Sequence, residues 1–266
     1  MSVQPAFDAD WLRPDWVAAG AASLMTTRNG GVSAAPFDSM NVRTAVGDDP
    51  ACVAENRRRL AAALTAAAGR AVDAVYLDQM HGARVVRLTR TDLARGEPWQ
   101  ADASITTEHG IACTAQVADC LPVLFAAPGG VGAAHAGWRG LAAGVLESTV
   151  AALCAATGCE PAQLQAWLGP CIGPLRFEVG ADVLQAFGAD VTGSAASTAF
   201  VGRAPPLGPG KWLADLPLLA RQRLAAAGVS AVGGGGWCTV DDASRFFSYR
   251  RSAVTGRMVA AVCRSV

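Results

Sequence analysis

The segment 118–141, ADCLPVLFAAPGGVGAAHAGWRGL, constrains the fold of this chain more than any other stretch. Two apolar runs, Leu121–Ala126 and Val131–Ala134, flank a Pro128-Gly129-Gly130 turn signal and predict a β-hairpin. With the loop centred near Pro128-Gly129, Cys120 faces Gly137, and His135 lies on the adjacent diagonal, roughly 7–8 Å away. A slip of one residue would send the two side chains to opposite faces. In the favoured register, a thiol and an imidazole converge at one end of the hairpin.

The 266 residues are 52% hydrophobic and 17% charged, enough apolar material for a sizeable core in one domain spanning 1–266. Lys+Arg and Asp+Glu both total 22, so the formal net charge is zero and the basic footprint of a nucleic-acid binder is absent. No apolar run reaches the ~18 residues of a membrane span. The N-terminal MSVQPAFDADWLRPDW lacks the basic and apolar regions of a signal peptide. Eight cysteines in such a chain read as reduced thiols, consistent with a cytoplasmic protein.

Residues 1–20 read as an N-terminal segment packing Trp11 and Trp16 on the body. A short strand through Thr27 meets an Asn29-Gly30-Gly31 turn. GDDPACVAENRRRLAAALTAAAG is a helix capped by Asp49, with Pro50 in its first turn and Gly69 as its stop. Val72–Leu77, Ala83–Leu88, Ala101–Thr107 and Ile111–Val117 are strand candidates. Leu141–Thr157 reads as one apolar helix, followed by a strand at Ala166–Leu168 and helices at Asp182–Phe187 and Ala214–Ala227. Residues 188–212 read as a long loop with a strand near Phe200–Val201. Val229–Val232, GGGGWCTVDD, FFSYRRS and GRMVAAVC read as strands. Helices and strands alternate without a strict βαβ rhythm, so the expected class is α+β with mixed sheets.

Three candidate metal ligands emerge, His81, Cys120 and His135, from a chain with three histidines in all. Thiolate and imidazole suit zinc, and three protein ligands leave the fourth tetrahedral position for water, which becomes acidic there. The spacings match no compact metal signature, and buried structural Cys and His are the plainer alternative. Cys52, Cys113, Cys154 and Cys263 are expected in the core, Cys171 and Cys238 packed beside turns, and Cys159 and His109 exposed. HAGWRGL passes from strand to helix through glycines, so the amides there and Arg139 form a candidate anion site. Tyr249-Arg250-Arg251 and Arg257 read as a charged sheet face.

TTRNGGVS with Asn41, GDDPACVAENRRRL, DQMHG, ADASITT, ADCLPVLF, HAGWRG, LGPCIGPLRFEVG and FFSYRRSAVTGRM occur in order from about Thr26 to Met258. Together they resemble the YfiH, or laccase-domain, family of purine-nucleoside-processing enzymes. The resemblance implies a fold of packed mixed β-sheets flanked by helices, shared with certain cysteine-dependent toxin domains. It also implies a metal site at His81, Cys120 and His135, holding zinc or copper. The implied partners are purine nucleosides and phosphate. The implied activities are phosphorolysis of adenosine, inosine, guanosine and methylthioadenosine, and deamination of adenosine.

On that reading the cluster supplies the nucleophile in deamination. Arg28 and Arg139 cradle phosphate, Asn41 contacts the ribose, and Asp119 or Gln79 assists proton transfer. Three rivals stand beside it. A copper polyphenol oxidase would use the same His₂Cys set with Met80 nearby, although a multicopper centre needs more imidazoles than three. A Cys120–His135 hydrolase acting in peptidoglycan precursor editing needs a third group to orient the imidazole. A non-catalytic metal-dependent module acting on a cell-wall ligase needs no activity of its own.

Overall fold

Side-chain alternation along the buried strands decides how the molecule is layered. The computed structural model describes residues 10–16, 20–189, 198–202 and 210–266. In chain order the elements are β1 (Ala21–Met25), α1 (Pro50–Ala68), β2 (Asp73–Val75), β3 (Val85–Arg87), β4 (Ala103–Thr106), β5 (Ile111–Val117), β6 (Leu121–Ala127) and β7 (Gly130–Ala136). There follow α2 (Trp138–Ala142), α3 (Val145–Thr157), β8 (Gln165–Leu168), β9 (Glu178–Val179), α4 (Ala181–Ala186) and β10 (Phe200–Gly202). The last are β11 (Trp212–Ala214), α5 (Leu216–Ala226), β12 (Ala231–Gly234) and β13 (Met258–Arg264).

Two mixed sheets dominate. One runs β1-β13-β5-β2 and the other β12-β8-β6-β7-β4-β3, with a small third sheet β10-β11-β9. Parallel pairs occur at sheet edges, β2 on β5, β12 on β8 and β3 on β4, while the interior pairs are antiparallel. Met258, Ala260 and Val262 of β13 face the other sheet, where they meet Leu124, Val131, Ala133 and Trp167. Val259, Ala261 and Cys263 face the opposite way, onto Leu60, Leu64 and Ala68 of α1. On the far side, Leu121, Val123 and Phe125 of β6 pack against Leu146, Val150 and Leu153 of α3 and Leu219 of α5. The order of layers is therefore helix, sheet, sheet, helices, the expected α+β architecture. Strands buried on both faces read as near-continuous apolar runs, which is why β6 and β13 are conspicuous in the sequence.

The hairpin register is the expected one, with Leu121 opposite Ala136 and Pro122 opposite His135. Asp49 caps α1 by accepting from the Ala51 amide at 2.8 Å, and Gly69 ends it at φ 70°. The N-terminal tryptophans pack as expected, Trp11 on the α1 side and Trp16 between the sheets. Other expectations need correction. Leu141–Thr157 is not one helix: Gly144, at φ 90°, breaks it into α2 and α3. Past Gly234, GGGGWCTVDD and all of FFSYRRS form turns and irregular backbone instead of strands, apart from one isolated bridge of Cys238 to Cys171. There Arg251 donates to the carbonyls of Thr239 and Phe246, replacing a strand ladder with side-chain ties. Cys159 is buried, because the left-handed Gly158 turns the chain back onto the core. Cys52 and Cys154 are only partly buried. The strand near Phe200 is present as β10, but most of the expected 188–212 loop, like residues 1–9 and 17–19, lies outside the described residues. No helix among the described residues is long and apolar enough to cross a membrane.

Candidate metal centre

Cys120 precedes β6, and Gly137 follows β7. At that open end of the hairpin, Cys120 and His135 point from the six-stranded sheet toward its neighbour. His81 arrives from the other side, on the crossover that leaves β2 of the four-stranded sheet for β3. Ligand atoms of His81, Cys120 and His135 all lie within 4.8 Å of one another. Cys120 Sγ is 3.9 Å from His81 Nε2, and the two imidazoles meet edge to face at 4.7 Å between centroids. Gly137 makes the room: a Cβ there would sit 2.9 Å from Cys120 Sγ and 3.2 Å from His81 Cδ2.

Asp102, immediately before β4, organises the cluster and was not singled out from the sequence. Its backbone carbonyl accepts from the His135 amide at 2.7 Å, making the two residues cross-strand neighbours. Its Oδ1 accepts from His135 Nδ1 at 2.9 Å and from the His81 amide at 2.8 Å. Oδ2 accepts from the amides of Gly82 and Met80 at 2.7 and 3.1 Å. Those bonds support a backbone that is costly by itself, since His81 sits at φ 61°. The one clue in the sequence is a lone acid opening the apolar run ADASITT.

The electrostatics follow from this geometry. Burial disfavours a Cys120 thiolate, but the charge and hydrogen bond of His135, with help from His81, outweigh it and pull the thiol down to about 6. Burial likewise disfavours a His135 imidazolium, but Cys120 and Asp102 push it up to about 9. Burial also opposes the Asp102 charge, yet His135 and the loop amides hold its carboxyl below the usual range. The metal-free centre is thus a thiolate–imidazolium pair oriented by a carboxylate, and its protons belong to the pair. As a donor set it fits zinc or copper. Asp102 fixes Nδ1 of His135, leaving Nε2 for a metal, the usual arrangement of a ligating histidine and its carboxylate. Tetrahedral zinc holds its ligands roughly 3.3–3.8 Å apart, so the cluster needs to contract by about an ångström.

The centre opens into a cavity of about 530 Å³, whose wall includes Arg43, Arg139, Tyr249, Arg250 and Arg257. Arg139 lies on this wall, stacked on Trp138 at 4.2 Å. Arg28 and Asn41 are not on this wall. Arg28 donates to Asp38 and to the Ala243 carbonyl. Asn41 is fully buried, donating to Asp48 and accepting from the amides of Arg43 and Arg257. It braces two arginines of the wall without reaching the cavity. Gln79 and Asp119 line the cavity but are committed elsewhere. The Gln79 amide bonds the backbone of Gln116 through both its groups. Asp119, at φ 90°, accepts from Thr239 Oγ1 and the Arg250 amide, tying the 239–250 turns to the residue before Cys120. Tyr249, Arg250 and Arg257, read as a sheet face, instead form part of the cavity wall. Met80 is 57% exposed and so provides no packed axial ligand.

Fold and centre together define a class: an α+β protein of two packed mixed sheets with a His–Cys–His site where they part. A family model described as "Multi-copper polyphenol oxidoreductase laccase" matches residues 22–265, and the chain belongs to that laccase-domain family. A Pseudomonas aeruginosa protein named as a purine nucleoside phosphorylase is 50% identical over 255 residues, covering 95% of this chain and 97% of its own. The Escherichia coli protein named purine nucleoside phosphorylase YfiH is 48% identical over 244 residues, covering 90% and 92%. Among solved structures, a Neisseria meningitidis protein superposes with a TM-score of 0.84 at 43% identity, covering 97% of this chain and 100% of that one. YlmD from Geobacillus stearothermophilus gives 0.85 at 33% identity, covering 98% of each.

Proposed function

We propose that this chain is a purine-nucleoside-processing enzyme, carrying out phosphorolysis of adenosine, inosine, guanosine and methylthioadenosine and deamination of adenosine. The observation that carries the reading is the placement of the His81–Cys120–His135 cluster in the wall of a cavity that also presents four arginines. Relatives at 48–50% identity bear the name purine nucleoside phosphorylase. A zinc or copper ion held by the three ligands would supply Lewis-acid activation of an oxygen nucleophile.

In phosphorolysis, a phosphate oxygen bonds to C1′ while the C1′–N9 bond breaks, its electron pair leaving with the purine, which takes up a proton. The chain's part is to hold phosphate in line. Arg250 and Arg257 already donate to backbone carbonyls, so Arg139 and Arg43 are the guanidiniums best placed to turn to it. In deamination, water adds at C6 and ammonia leaves. A cavity of this size suits a nucleoside. The test is incubation of the purified protein with adenosine, with and without phosphate, followed by chromatography. Adenine appearing only with phosphate and inosine without it are the expected products; neither adenine, inosine nor hypoxanthine ends the proposal.

A second reading has an observation in its favour: Cys120 lies beside His135, which Asp102 orients, the order in which a cysteine hydrolase would hold its nucleophile, base and carboxylate. A covalent acyl adduct on Cys120, found by mass spectrometry of metal-free protein, would favour it. The oxidase reading has less support. Of three histidines, His109 lies apart beside Arg264, and the described residues hold one metal-competent cluster. A multicopper centre has too few imidazoles to form.

A further inference from the structure

A second and larger cavity, about 870 Å³, adjoins the first, and Arg43, Ala45 and Gln116 belong to both walls. It is framed by the outer face of α1, the segment following β2 and the 90–99 loop. Two layered stacks line it. The Arg57 guanidinium lies 3.9 Å from the Tyr76 ring centre, and that of Arg95 lies 3.9 Å from the Trp99 ring centre. A guanidinium on an aromatic ring gives a flat surface with N–H groups at its edge, the chemistry on which nucleobases stack.

The charges point the same way. Arg57, Arg43 and Arg257 are half-buried and form a row running from one cavity to the other. Burial, and then the like charge of Arg43, hold both Arg57 and Arg257 below the usual guanidinium range. Among the described residues, Arg43 has an ion-pair partner in Asp78, at a loose 3.9 Å. Of the other lining acids, Asp73 and Glu97 are exposed at the rim, and Asp92 is bonded to Trp99 and Thr89. A bound anion would relieve the row's self-repulsion. The wall also lacks a hydrogen-bond partner. Gln116 is 4% exposed, its Nε2 donates to the Leu77 carbonyl, and its Oε1 has no partner; nor has the Tyr76 hydroxyl. Both atoms lie beneath the cavity wall, out of reach of solvent.

We infer that this second cavity is a nucleotide site, with phosphates against Arg43 and Arg57 and the base on the Arg95–Trp99 layer. The site contains none of the three proposed metal ligands and shares Arg43 with the first cavity, where phosphate then rests on Arg139; it stands whether or not that cavity processes nucleosides. Binding of ADP, adenosine and inorganic phosphate to the full chain, by calorimetry, tests it. ADP should bind, and Arg57→Ala and Trp99→Ala should each weaken it about tenfold, the loss typical of one base stack or charged contact. Metal uptake at His81, Cys120 and His135 should be unchanged in both. Arg95→Ala, at an exposed position, should reproduce the Trp99→Ala loss without risk to folding. Failure of ADP to bind below about 1 mM, or binding indifferent to all three substitutions, overturns the inference. So does binding lost in Arg57→Ala but kept in both Trp99→Ala and Arg95→Ala, which would mark a bare phosphate site.

Discussion

The Asp102 carboxylate reaches His135 Nδ1 at 2.9 Å while the same oxygen accepts the His81 amide, so one side chain sets the orientation of one proposed metal ligand and the backbone of another. Asn at position 102 keeps the size but turns an N–H₂ toward donors. Asp102→Asn is expected to weaken zinc binding roughly 10–100-fold, measured by competition with a chromophoric chelator. If affinity is unchanged, the carboxylate does not position the ligands.

Metal binding should release protons with a definite sign. His135 is raised to about 9 and Cys120 lowered to about 6, so between those values the empty centre carries imidazolium and thiolate, and a metal displaces about one proton. Below about 6 the thiol is protonated too, and the number of protons released rises. Affinity should therefore rise with pH through this window and flatten above about 9. Titrating zinc into weakly buffered protein at several pH values reads the proton count directly.

Arg28 and Arg139 should separate cleanly. Arg28 is bound to Asp38 and the Ala243 carbonyl, away from the cavity. Arg28→Ala should cost about 1–3 kcal/mol of stability in urea unfolding and leave the KM for phosphate alone. Arg139→Ala should do the reverse, raising the phosphate KM about tenfold with little change in unfolding midpoint.

Gly144 holds φ 90°, and beyond its chain neighbours a would-be Cβ would meet only the Glu147 carboxylate, at 3.7 Å and beyond. Gly144→Ala should therefore cost only its backbone strain, about 1–2 kcal/mol, seen as a lower Tm. A gain in stability would mean that the break between α2 and α3 is not enforced at this residue.

The hairpin was legible because a turn signal and a two-residue period fix register together, and register alone brought Cys120 near His135. Helix α1 was legible from Asp49, Pro50 and Gly69. What escaped was long-range. The helix break at Gly144 hides in an unbroken apolar run. The turns after Gly234 are rich in glycine, aromatic and arginine residues, and their carbonyls are claimed by Arg251 from a distance. Asp102 is an ordinary acid until β4 pairs with β7 and places it beside His135. Arg28 and Asn41 lie near glycine turns that suggest a binding loop, but their side chains are spent on closing that loop and bracing its neighbours.

Strand β13 lies between β1 and β5, and in its sheet β1 has β13 as its hydrogen-bonding neighbour. During synthesis, the segment carrying Ala21–Met25 must wait for residues 258–264 before its edge is satisfied. His81, Cys120 and His135 all precede that strand, so the three proposed ligands are synthesised before the neighbouring sheet can be completed.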